Sequence, residues 1–192
     1  MSKTPVSLTH GKDSLLESVA RLNGRIFDTD PVVTYMLLEM SKEERLAYLP
    51  TYWSTLVKSA LLNDAIITEA DGWKAASVIV PPGKHIDNAW KLLYAGFLSI
   101  GTEHEHRGKG LTKAIMRQHQ KTAQAENVLI WLETTSPSSR DLYFSLGFQE
   151  IEEIILGKGK VNADATRQSG GSGIPLYAMV WWPKETNAAA AL

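Results

Sequence analysis

Arg107-Gly-Lys-Gly-Leu-Thr112 is the stretch whose residue types most plainly suit a chemical task. An apolar run ending at Thr102 leads towards it, and a helical pattern begins behind it. Glycines there let the backbone approach an anion closely and take up positive φ. The first amides of the following helix point outward without intrahelical partners, and the helix dipole adds positive potential. Such a cradle suits a pyrophosphate. The stretch is not a Walker loop: no glycine precedes Gly108-Lys109 at the required spacing, and no Ser or Thr follows the lysine. Nor is it a dinucleotide fingerprint, because Lys113 stands where the third glycine belongs. Taken alone, a helix-opening turn with basic residues on its solvated side would read the same way.

Other chemistry is narrower. His104 and His106 alternate with Glu103 and Glu105 in the turn before the loop, a set that could hold a metal. No further ligand cluster accompanies them, so a solvated loop is the reading adopted, with no metal expected. The chain has no cysteine, which removes disulfides, thiolate-bound zinc and thiol nucleophiles. Trp53, Trp131, Trp181 and Trp182 read as core or sheet-face residues. Trp131 and Glu133 share one face of a strand and could together line a pocket.

The elements that must position these residues follow from periodicity. Val6 to Thr9 alternates as a short first strand, and Leu15, Leu16, Val19, Ala20, Leu22 and Ile26 mark a helix. Asp30-Pro31 should interrupt it or start another turn. Ser41-Lys-Glu-Glu44 is a capping box opening a helix through Leu61, with Pro50 as an expected kink. Residues 65–70 and 75–80 are apolar runs joined by Asp71-Gly72, a hairpin signal. Asp87 to Leu93 suggests a short helix, and Phe97 to Thr102 a strand. After the loop come a helix ending near Asn127, a strand at Val128 to Leu132, and a short helix from Ser139 to Leu146 closed by Gly147. Strands follow at Phe148 to Leu156 and Tyr177 to Trp182. The polar, glycine-rich Lys158 to Pro175 between them should be mobile. Strand, long helix and strand around the loop imply a right-handed parallel crossover.

At 192 residues the chain can bury one substantial core but hardly two. A net charge of −1 gives no global field towards nucleic acid or an anionic membrane. The N-terminus lacks the apolar core of a signal peptide, and no apolar run reaches membrane-spanning length, so an intracellular, cytoplasmic protein is expected. Ala188 to Leu192 reads as a low-complexity expression remnant outside the fold.

Residues 101–112 resemble the acyl-coenzyme A signature of the GNAT superfamily of N-acetyltransferases, whose core is Arg/Gln-x-x-Gly-x-Gly/Ala. Arg107 and Gly110 fit, while Thr112 stands where Gly or Ala is usual. Downstream, Trp131-Leu-Glu-Thr-Thr-Ser-Pro-Ser-Ser-Arg-Asp-Leu-Tyr-Phe-Ser-Leu-Gly-Phe148 is similar to the closing motif of the same superfamily, closest to the puromycin N-acetyltransferase-like branch. The resemblance implies an α/β (α+β) fold: one GNAT-like domain over residues 1–187, with a central mixed, mostly antiparallel sheet and helices on both faces.

It also implies roles. The backbone of Ile100 and Thr102 would pair with the pantetheine arm of acetyl-CoA, the cosubstrate. The amides of Gly108, Lys109, Gly110, Leu111, Thr112 and Lys113 would hold its pyrophosphate beside Arg107. Ser139 occupies a position more often filled by a coenzyme-contacting asparagine. Tyr143 falls where a tyrosine often lies near the coenzyme sulfur, and a phenol there can protonate the leaving thiolate. Some members carry a glutamate on the strand before the loop, but Ala95-Gly96-Phe97-Leu98 has none. Glu133 is the replacement considered as base, in an apolar stretch where desolvation would raise its proton affinity; a water relay is the alternative. The expected activity is acetyl transfer to a primary amine of a small molecule by direct attack in a ternary complex. A non-catalytic acyl-CoA-binding module and a protein or peptide N-acetyltransferase are the other readings. No nucleic-acid or membrane partner is expected, and a homodimer is left open.

Overall fold

The computed structural model describes residues 5–81 and 94–184, with side chains in the second stretch from Leu98 onwards. In chain order the elements are β1 (Leu8–Gly11), α1 (Leu16–Ile26), α2 (Pro31–Met36), α3 (Lys42–Leu61), β2 (Ile66–Ala70), β3 (Ala75–Val80), β4 (Tyr94–Thr102), α4 (Leu111–Glu126), β5 (Leu129–Thr134), α5 (Pro137–Phe144), β6 (Gln149–Leu156) and β7 (Ile174–Trp181). The expected helix over 87–93 and the tail at 188–192 lie outside the described residues. None of the described helices is long and apolar enough to cross a membrane.

Seven strands form one sheet in the order β1-β2-β3-β4-β5-β7-β6. Every neighbouring pair is antiparallel except β4 and β5, which run parallel across the α4 crossover. The mixed, mostly antiparallel sheet expected from the sequence is therefore present. Helices α1 and α3 cover one face, where Val19, Leu22, Val57 and Ala60 pack on Ile67, Ala76 and Val78. Helices α4 and α5 cover the other: Leu111 and Ile115 sit over Ala70 and Ala75, and Met116 and Tyr143 over Ile130, Leu132 and Met179. Each fully buried aliphatic side chain contributes roughly 1.5–3 kcal/mol.

Local signals set the boundaries. Ser41 Oγ accepts from the Glu44 amide at 3.2 Å, and the Glu44 carboxylate accepts from the Ser41 amide at 2.9 Å. That reciprocal cap starts α3, which then runs unbroken through Pro50. The hairpin turn places Asp71 and Gly72 at φ 53° and 72°. The buried Glu69 carboxylate secures it by accepting from the Trp73 amide at 2.8 Å. Asp30 behaves as an N-cap with Pro31 at the first helical position, so the break after α1 opens a helix of its own.

The segment between β6 and β7 differs from its expectation. Rather than hanging free, it folds back as a hydrogen-bonded extension: the Gly159 amide donates to the Gly171 carbonyl at 2.8 Å, Gln168 to Lys160 at 2.9 Å, and Gly173 to Val161 at 2.8 Å. Val161, Ala165 and Ile174 are buried there against Val32 and Tyr35 of α2. A Cβ on Gly171 would sit 2.2 Å from the Val161 carbonyl oxygen. The glycines that suggested looseness are thus what lets two backbones close on each other.

Candidate active site

The site begins where the sheet opens. β4 and β5 pair only over Tyr94–Gly96 and Leu129–Trp131, and beyond that point the strands part. An extra residue in β4 accompanies the divergence: Val78 and Ile79 are consecutive on β3, yet oppose Ser99 and Phe97. Such a bulge bends its strand and increases its twist. The Glu103 amide donates to the Lys74 carbonyl at 2.9 Å, so the peptide groups alternate outward from there. Those of Ile100 and Thr102 consequently face away from β3, into the gap on the β5 side. Helix α1 seats against this stretch because residue 101 is glycine. A Cβ there would lie 2.6 Å from Ile26 Cγ2. One turn earlier, the buried Asn23 donates from Nδ2 to Ser99 Oγ at 2.9 Å, beside the bulge.

At the end of β4 the chain enters the glycine-rich loop. Gly108 and Gly110 take φ 75° and 84°, and a Cβ on either would meet open space. Gly110 is the N-cap of α4 and no side chain caps that terminus. Among the described residues the amides of Gly108 to Lys113 have no acceptor. The loop is braced from outside: Arg25 Nε donates to Glu103 Oε1 at 2.7 Å, and Lys109 Nζ to His106 Nδ1 at 3.0 Å. His104 faces Asp28 at 3.7 Å. The two histidines therefore serve as struts, and among the described residues no group of three or more His, Cys, Asp or Glu side chains converges as a metal site. The open cradle, left-handed glycines and outward amides fit a pyrophosphate, and the adjoining strand edge, turned away from β3, fits an amide-bearing arm. These are the two parts of coenzyme A nearest its thiol end.

Helix α5 approaches the gap from the sheet face covered by α4. Ser136 caps it, accepting from the Ser139 amide at 3.2 Å, and Ser136 Oγ also donates to Ser139 Oγ at 2.9 Å. Tyr143 lies one turn on from Ser139 on the same helix face. Its ring is buried and meets Phe148 with centroids 5.5 Å apart, and Ile100 of β4 packs against the same cluster. Burial pushes the Tyr143 phenol well above its ordinary range, so it keeps its proton. No group among the described residues bonds its hydroxyl.

Glu133 and Trp131 do share a strand face, as the alternating burial of β5 confirms. That face is opposite to the one carrying Ile130, Leu132 and the Tyr143 cluster. The apolar enclosure expected around Glu133 is absent: the residue is exposed. Tyr143 and Glu133 therefore flank β5 from its two sides.

Residues that the motifs did not mark also reach this region. Thr135 Oγ1 donates to Asp30 Oδ2 at 2.7 Å, bringing the α1–α2 turn to the end of β5. Tyr52 stands near it, its phenol raised first by burial and then by the charge of Asp30. The Asp30-Pro31 pair signals a break or a turn in the sequence, but nothing there ties it to Thr135.

The chain matches no protein-family model and no curated protein sequence. Solved structures do match it. The protein named histone acetyltransferase HPA2 and related acetyltransferase from Corynebacterium glutamicum is 18% identical, with a TM-score of 0.71 over 96% of this chain and 100% of that one. Arylalkylamine N-acetyltransferase 2 from Aedes aegypti is 14% identical, with a TM-score of 0.63 over 94% and 100%. The protein yncA from Salmonella typhimurium, solved with its cofactor acetyl-CoA, is 12% identical, with a TM-score of 0.62 over 98% and 100%. The sheet that opens between β4 and β5 thus belongs to a fold that this chain shares with these proteins over their whole length.

Proposed function

We propose that this protein is an acetyl-CoA-dependent N-acetyltransferase acting on a primary amine of a small molecule. The observation that carries the reading is a juxtaposition. The strand edge at Ile100 and Thr102, turned away from β3, runs directly into the amides of Gly108 to Lys113, which have no acceptor among the described residues. Acetyl-CoA would supply the activated acyl group. Ile100 and Thr102 would hold its amide-bearing arm, and Arg107 with the loop amides its pyrophosphate, near Ser139. Tyr143, kept protonated by burial, donates to the leaving thiolate. Glu133, on the other side of β5, takes the proton of the attacking amine, directly or through water; its exposure favours the relay.

Similarity of the Trp131–Phe148 segment to the puromycin N-acetyltransferase-like branch supports a small amine, while structural neighbours are named both for arylalkylamines and for histones. The test is thiol release from acetyl-CoA across a panel of amines and peptides. Turnover with small amines supports the reading, and turnover with peptides alone would transfer it to protein acetylation. Tight binding of acetyl-CoA with no turnover on any acceptor would leave a binding module instead.

A further inference from the structure

Thr112 is where this chain departs from the signature it resembles, and the structure gives that side chain a partner. Thr112 Oγ1 lies 2.7 Å from Thr102 Oγ1. Thr102 is the last residue of β4 and Thr112 the second of α4, so one short bond spans the whole loop. Each residue also presents backbone to the open site: Thr102 turns its peptide group into the gap, and the Thr112 amide has no acceptor among the described residues. A β-branched side chain has few χ1 choices. With its hydroxyl held on the strand, Thr112 is drawn towards β4 and away from the cradle a Gly or Ala would leave clear. The start of the loop is tied to the same residue, since Arg107 Nε donates to the Thr102 carbonyl at 3.4 Å.

We propose that the Thr102–Thr112 hydroxyl bond is a positioning clamp that sets the distance and angle between two subsites, the strand edge for the pantetheine arm and the loop amides for the pyrophosphate. The proposal rests on the acyl-CoA reading above. A donor that spans both subsites gains from their fixed spacing, because the geometry is paid for on folding rather than on binding. A fragment that touches only one subsite gains nothing from it.

The experiment compares the parent protein with Thr112→Val, Thr102→Val, the double variant and Thr112→Ser, by titration calorimetry with acetyl-CoA, acetyl-pantetheine and ADP. Loss of one hydroxyl bond should weaken acetyl-CoA by about fivefold in either valine variant. The double variant should be no weaker than the singles, since both remove the same bond. Acetyl-pantetheine and ADP should bind all variants like the parent, and Thr112→Ser should keep the parent's affinity for acetyl-CoA. Thermal melts check that the variants are folded, and Thr102→Ala, which also lacks the hydroxyl, serves should the valines fail. Unchanged acetyl-CoA affinity in Thr112→Val, or an equal loss for a fragment, overturns the clamp alone. A parent protein that binds no acetyl-CoA overturns the acyl-CoA reading itself.

Discussion

Thr135 and Asp30, 105 residues apart, are joined by a 2.7 Å hydrogen bond from the threonine hydroxyl to Asp30 Oδ2. The other oxygen of that carboxylate accepts from the amides of Val32 and Val33, both at 3.0 Å. One side chain thus starts α2 and ties the α1–α2 turn to the end of β5. Since α1 ends on Gly101 of β4, the turn carries the chain from one parting strand to the other. Thr135→Val removes only the tie and should cost about 1 kcal/mol in urea unfolding. Asp30→Ala removes tie and cap together and should cost about 2 kcal/mol. Once Asp30 is gone, Thr135→Val should add almost nothing. Additive losses would show that the two residues do not act as a pair.

Tyr143→Phe isolates the proton-donor role. The ring keeps its contacts with Phe148 and Leu132, and the hydroxyl has no partner among the described residues, so the fold should tolerate the change. We expect kcat to fall about 100-fold while affinity for acetyl-CoA stays at the parent value. The parent phenol is raised by burial, so its proton should persist well into the alkaline range and activity should not fade there on its account. Equal kcat in the two proteins would remove Tyr143 from the chemistry.

What the sequence disclosed divides along a physical line. The loop, the α5 motif and the capping box of α3 are contiguous, and each works through bonds a few residues long, so residue order alone reveals them. The faces of β5 were equally open to reading, because side chains alternate along a strand. Which face is covered was not. Helix α5 packs over Leu132 and leaves Glu133 exposed, and that depends on where a helix from later in the chain comes to rest. Asn23 with Ser99 and Asp30 with Thr135 are invisible in the sequence for the same reason, as each partner is an ordinary polar residue until the fold brings the two together. The β6–β7 segment is a different failure. Its glycines suggest slack, whereas at Gly171 the constraint is room for a crossing carbonyl.

Gly101 should be the least replaceable glycine near the site. A Cβ there meets Ile26 Cγ2 at 2.6 Å, and neither α1 nor β4 can retreat without loosening the core beneath. Overpacking of this kind costs about 1–3 kcal/mol. Gly101→Ala should therefore lower the unfolding midpoint and weaken acetyl-CoA binding, because the adjoining peptides of Ile100 and Thr102 shift with it. Combining it with Ile26→Ala makes room for the new methyl, and the acetyl-CoA affinity should recover in part. No recovery would mean that the clash is not with Ile26.

His119 on α4 gives the protein a defined acid sensitivity. It is buried, its Nε2 lies 2.9 Å from Ser77 Oγ, and desolvation, assisted by the nearby His10, lowers its pKa from 6.5 to about 4. His10, Glu126 and Gln118 line the same cavity of about 300 Å³ beneath α4. Between pH 6.5 and 4 the unfolded chain takes up a proton at this residue that the folded chain refuses. Its stabilising contribution is therefore complete above pH 6.5 and is lost as pH falls towards 4, by roughly 3 kcal/mol. His119→Gln retains a polar partner for Ser77 but cannot titrate. The variant differs from the parent only at this residue, so the difference between their stability curves isolates the histidine. The parent should lose stability more steeply than the variant, by up to one proton's slope, and only within that window. Parallel curves from pH 7 to pH 4 would show that His119 is not held neutral by the fold.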